Sequence, residues 1–147
     1  MRTFATAVVL LLFVGAAHAQ QTATQVLDHH VAMMKAGDLN GVMADYADDA
    51  LLVAPHGIAP GQTDVSGNDV LAGKDNIRKF FAVLTDKDHV PGSRAMETRY
   101  ESRGHDVVLM HWVQFKGTPQ ELKGTDTWVI RSGKVVVQIV TVEAPKK

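Results

Sequence analysis

An α+β fold, with three N-terminal helices packed on a strongly curved antiparallel sheet, follows from three observations. The first half of the chain repeats its apolar residues at helical spacing in three segments. The second half is four strand-like segments separated by turn signals. One of those segments, "DVVLMHWVQFKG", is apolar on both faces, with Leu109 and Val113 on one side and Val108, Met110 and Trp112 on the other. A sheet wetted on one face alternates cleanly, so both faces here need cover.

The elements follow in order. Val26, Leu27, Val31 and Met34 form one stripe of a helix from about Thr22 to Ala36, which stops at Gly37, a residue suited to a left-handed C-cap. His30 falls inside that stripe, and His29 sits about 100° further round. Asp38 caps a second helix whose stripe is Leu39, Val42, Met43 and Tyr46. The pair Asp48-Asp49 reads as a polar stop before "ALLVAP", a short buried strand ended by Pro55. Residues 55–72 are rich in Gly, Pro, Asp and Ser and read as a long loop, long enough to be a lid. A third helix after Gly73 buries Ile77, Phe80, Phe81 and Leu84. The strands "RAMETRYES", "DVVLMHWVQFKG", "ELKGTDTWVIRS" and "KVVVQIVTVEA" complete a meander.

The N-terminus is a separate matter. "MRTFATAVVLLLFVGAAHAQ" carries one early cation, an apolar run from Ala7 to Val14, and the small-x-small ending Ala17-His18-Ala19. It predicts a signal peptide over residues 1–19, with cleavage before Gln20 and a periplasmic or secreted location. The apolar run is too short to span a bilayer, which takes roughly 20 residues. The remaining segment, 20–147, has the length of a single domain with one core. A formal charge of −1 without a basic run argues against nucleic acid as the partner. The absence of cysteine excludes disulfides and thiolate chemistry.

The pattern "GDLNGVMADYADDALLVAPHG", followed by "GKDNIRKFF" and the meander, resembles the nuclear-transport-factor-2-like superfamily, in its SnoaL-like and ketosteroid-isomerase-like group. The resemblance implies a cystatin-like α+β roll with a cone-shaped cavity. It is specific for fold and unspecific for activity, because members include isomerases, dehydratases, hydrolases and non-catalytic domains. In the ketosteroid-isomerase register the oxyanion-hole tyrosine falls on His30, the proton-abstracting aspartate on Ala54 and the second oxyanion-hole acid on Asp126. Ala54 cannot act as a base, so steroid isomerisation does not carry over. His56 is the nearest substitute, although it follows Pro55 at the loop.

The same register predicts that His30, His111 and Asp126 meet inside the cone as candidate catalytic groups. His30 and His111 would be base or proton carrier, and Asp126 orienter or acid. Leu27, Met34, Tyr46, Ala54, His56, Phe80, Phe81, Leu109, Val113, Trp128 and Gln138 would line the ligand space. Alternatively Asp126 and a histidine only satisfy each other beneath a small pocket. Two histidines and a carboxylate also suit a mononuclear iron site, but the spacing matches no ligand motif, so neither metal nor cofactor is expected. The expected protein is an exported binder of a small organic molecule, with cofactor-free acid–base chemistry of the isomerase, dehydratase or hydrolase type. The competing class is a non-catalytic binding or assembly domain. A homodimer is expected through the sheet face bearing Val108, Met110 and Trp112, extended by Val135, Val137 and Ile139.

Overall fold

The computed structural model describes residues 21–56 and 68–143. The expected signal peptide, the C-terminal "APKK" and most of the proposed lid lie outside the described residues. Helix α1 (Ala23–Ala36) begins at Thr22, whose hydroxyl accepts from the Gln25 N–H while the Gln25 side chain accepts from the Thr22 N–H. This reciprocal box satisfies two donors that a helix start leaves open. Gly37 ends it at φ 74°, a left-handed conformation that costs glycine little. Asp38 caps α2 (Leu39–Ala44) by accepting from the Gly41 N–H at 2.9 Å.

Strand β1 (Tyr46–Pro55) starts earlier than the sequence suggests. Tyr46 is its first residue rather than the last of the α2 stripe, and Asp48 and Asp49 lie within it. Both acids are exposed where the pairing register with the last strand shifts, as at a bulge, so their charges reach water without ending the strand. The supposed loop also contains a strand, β2 (Asn68–Ala72), antiparallel to β1. Helix α3 (Lys74–Leu84) buries Ile77, Phe80 and Phe81. A short helix α4 (Val90–Arg94) with Pro91 in its first turn was not legible beforehand. Strands β3 (Glu97–Arg103), β4 (Val107–Gln114), β5 (Leu122–Arg131) and β6 (Lys134–Val142) form the expected meander.

The strand order is β2-β1-β6-β5-β4-β3 in one six-stranded curved sheet. All pairings are antiparallel except β1 with β6, which is parallel. Its register decides which side chains face the helices. Met110 pairs with Asp126, Val108 with Trp128, and Trp112 with Gly124. Val108, Met110 and Trp112 therefore share the inner face with buried Asp126 and Trp128, while Leu109, His111 and Val113 face outward. This inverts the expected faces of β4. Both faces are apolar, so period-two alternation could not say which is inside, and a slip of one residue exchanges them.

A second correction arises on β6. Ile130 pairs with Val135 but Val129 with Val137, leaving Val136 as an extra residue. Beyond this bulge the parity changes: Val135 is fully buried, whereas Ile139 is 39% exposed on the outer face.

Candidate functional site

The helices and the inner sheet face enclose a cavity of about 600 Å³. Its walls are mainly apolar: Met34 from α1, Phe80, Phe81 and Leu84 from α3, Met110 and Trp112 from β4, Val140 and Val142 from β6. Asp126, Gln138 and His56 bring polar atoms to it, and Asp88 and His89 stand at the α4 side.

Asp126 is the centre of an ordered network. Its Oδ1 accepts from the Trp112 indole N–H at 2.8 Å, and its Oδ2 accepts from Gln138 Nε2 at 2.9 Å. The Tyr46 hydroxyl in turn donates to Gln138 Oε1. Gly124 makes this possible. A Cβ there would stand 2.1 Å from the Thr141 carbonyl oxygen and 2.6 Å from the Trp112 ring, so only glycine lets the indole lie over β5 beside Asp126. Burial pushes the Asp126 carboxyl up to about 7, against the opposing pull of the two donated hydrogen bonds. A carboxyl raised in this way keeps its proton to higher pH than an ordinary aspartate, which suits a group that hands a proton on.

His30 occupies a different place. It is buried beyond the cavity among three aromatic rings, with centroids 4.9 Å from Trp128, 5.3 Å from Phe81 and 5.8 Å from Tyr46. Its Nδ1 lies 3.8 Å from Asp45 Oδ2, too far for a hydrogen bond, and neither atom has a partner among the described residues. Asp45 is engaged instead by His29, at 2.8 Å. Burial, assisted by the charge of His29, lowers His30 to about 3, so the ring is neutral at ordinary pH.

The three expected catalytic groups do not assemble. Asp126 reaches the cavity, whereas His30 lies behind the aromatic wall. His111 is on the outer face, 3.0 Å from Thr125 Oγ1 and 3.4 Å from Glu101 Oε2. The iron-type triad is therefore not formed, and Asp126 satisfies itself with Trp112 and Gln138 rather than with a histidine. Of the expected lining residues, Met34, His56, Phe80, Phe81 and Gln138 reach the cavity. Leu27, Tyr46, Ala54 and Trp128 are core residues behind it, and Leu109 and Val113 lie on the outer face. Trp112, not expected inside the cone, is the partner of Asp126. Trp112 pairs with Gly124, two residues from Asp126, across a seven-residue connection (115–121), so the two share a face only in the register that β4 and β5 adopt.

The matched family model is that of the SnoaL-like domain, over residues 27–138. The chain belongs to this family. Among solved structures the SnoaL-like chain is similar to an NTF-2 like protein of unknown function from Burkholderia xenovorans LB400, at 19% identity and a TM-score of 0.60, covering 84% of each chain. It is also similar to an uncharacterised cystatin fold protein from Novosphingobium aromaticivorans, at 17% identity and a TM-score of 0.58, covering 82% of this chain and 98% of that one. A third is TerC, co-crystallised with polyporic acid, at 21% identity and a TM-score of 0.58, covering 82% and 90%. These likenesses establish the fold. No curated protein sequence matches the chain.

Proposed function

We propose that this SnoaL-like domain binds a small, largely apolar organic molecule in the inner cavity and acts on it by cofactor-free acid–base chemistry, with Asp126 carrying the proton. One observation supports this most strongly: a buried carboxyl, poised near neutrality by its surroundings, lines a cavity of ligand size. The co-crystal of TerC with polyporic acid is in keeping with a fold that accommodates an organic molecule. Asp126 would offer a hydrogen to a carbonyl-type oxygen when protonated and withdraw one when ionised. Titration with the neutral fluorescent probe N-phenyl-1-naphthylamine tests the cavity. Wild type should bind saturably, and Val140→Trp, which fills the space, should weaken binding tenfold or more. Equal binding by both proteins would contradict the proposal.

The competing assembly role has its own support on the outer face, and we propose that a second copy of the chain covers it. Leu51, Val70 and Ile139 are exposed there, and Leu109 and Val113 are half-buried. On β3 the outward residues read Glu97, Arg99, Glu101, Arg103. Antiparallel apposition of two such edges across a two-fold axis sets each acid against a base. This replaces the face expected from the sequence, since Val108, Met110 and Trp112 are internal. Export remains part of the proposal through the N-terminal segment; an intact mass beginning at Gln20 in the native host supports it, and one retaining Met1–Ala19 contradicts it.

A further inference from the structure

A histidine–carboxylate pair, His56 with Asp69, stands at the cavity wall. His56 follows Pro55 at the end of β1, and Asp69 lies on β2, where it is the Cα partner of Ala54. His56 Nδ1 is 2.7 Å from Asp69 Oδ1, with the two side chains 16% and 24% exposed. A carboxylate only accepts hydrogen bonds, so Nδ1 carries the hydrogen, and in the uncharged ring Nε2 is then the lone pair. That Nε2 is buried and has no hydrogen-bond partner among the described residues, and His56 lines the same cavity as Asp126. Leaving a buried acceptor unmatched costs about 1–3 kcal/mol, a cost that a bound hydrogen donor would remove.

We infer that His56, fixed as the Nδ1–H tautomer by Asp69, is a hydrogen-accepting subsite of this cavity, and that its ligand is a ring compound bearing an acidic hydroxyl of the phenol or enol type. The inference rests on the cavity reading above. The complement of this site is a molecule with apolar faces, matching Met34, Phe80 and Phe81, and one O–H directed at Nε2. Lysine or arginine would be drawn to a carboxylate, but Asp69 is already engaged by the ring, so the feature offered to the ligand is a neutral nitrogen acceptor. Asp69 acts through His56 and is a positioning residue. Transfer of the hydroxyl hydrogen would break the O–H bond, leave its electron pair on the oxygen and form the Nε2–H bond, with the imidazolium stabilised by Asp69.

The test compares 2-naphthol with its methyl ether, 2-methoxynaphthalene, which keeps the rings and loses the hydrogen. A site built to bond a hydroxyl discriminates strongly against an analogue lacking it. Wild type should prefer the naphthol tenfold or more, whereas His56→Leu should bind the two alike and retain the ether. Asp69→Leu should reduce the preference, and nitrogen-15 imidazole spectra should show His56 moving from the Nδ1–H to the Nε2–H tautomer. Preference for the naphthol that survives in His56→Leu overturns the inference, as does a wild-type His56 in the Nε2–H form. Equal binding of both compounds by wild type contradicts the subsite alone. Failure of wild type to bind either compound contradicts the cavity reading beneath it.

Discussion

Of the histidines that stand near an aspartate, His30 and His56 differ most in their surroundings. His30 lies 3.8 Å from Asp45 in a shell of Tyr46, Phe81 and Trp128, while His56 lies 2.7 Å from Asp69 beside open space. In the first, burial removes the charge and no nitrogen faces a ligand, so the ring serves as an aromatic filler. In the second, one nitrogen is anchored and the other is buried without a partner among the described residues, on a side chain that lines the cavity. A histidine beside a carboxylate thus becomes chemistry only when its second nitrogen has somewhere to act. The same contrast separates Asp45, raised by burial and held by His29, from Asp126, which lines the cavity.

The largest expected effect breaks the buried member. His30→Ala removes a ring packed against three others, and should cost about 2–5 kcal/mol, as large-to-small core changes do. His56→Ala should cost about 1 kcal/mol or less, because its ring borders space already open. Urea denaturation of both variants measures the difference; equal losses would contradict the division into filler and subsite.

The pH dependence of stability sharpens it. His30 is lowered from 6.5 to about 3, so the unfolded chain takes up the proton first. Its contribution is present above pH 6.5 and is lost as pH falls towards 3. Asp126 is raised from 3.8 to about 7, so its contribution is present below pH 3.8 and is lost as pH rises through 7. Asp45, also raised, has the same sign as Asp126. Each of these two contributions is on the order of 5 kcal/mol at most, and they oppose one another. Asp126→Asn should therefore leave a protein whose stability rises between pH 3 and 6.5, and His30→Leu one whose stability falls between pH 4 and 7. Asparagine fits the network if Gln138 turns its amide over, because the Tyr46 oxygen can also accept. Thermal melts across pH 3–8 decide this; parallel profiles for the two variants would contradict it.

Smaller effects concern the supports. Gly124→Ala should push Trp112 off β5, weaken its bond to Asp126 and cost about 1–3 kcal/mol, as overpacking does. Near-wild-type stability with unchanged Trp fluorescence would count against that contact. On the outer face, Ile139→Glu should halve the mass seen by light scattering while leaving cavity binding intact. A wild-type monomer at high micromolar concentration would contradict the second-copy proposal.

Much of this was readable in advance. Helix α1 and its Gly37 stop, the α3 face of Phe80 and Phe81, and the four-strand meander each follow from local periodicity and turn chemistry. Asp126 was named in advance through the family resemblance, whose second oxyanion-hole acid falls on it, whereas its partner Trp112 was not. The faces of β4 were not legible, since Val107 to Val113 is apolar on both sides and only pairing with β5 settles the choice. The His56–Asp69 pair was hidden for a similar reason. Asp69 lies in a stretch of turn-forming residues, and its place opposite Ala54 comes from β2 docking on β1, a contact no local pattern records.

The most direct measurement of the central contrast is one nitrogen-15 imidazole spectrum series on a single sample, from pH 8 to 4, with and without 2-naphthol. His30 should stay neutral throughout and ignore the ligand, while the His56 Nε2 signal should move when naphthol is added. A His30 that gains its proton above pH 5, or a ligand response at His30 and none at His56, would contradict it.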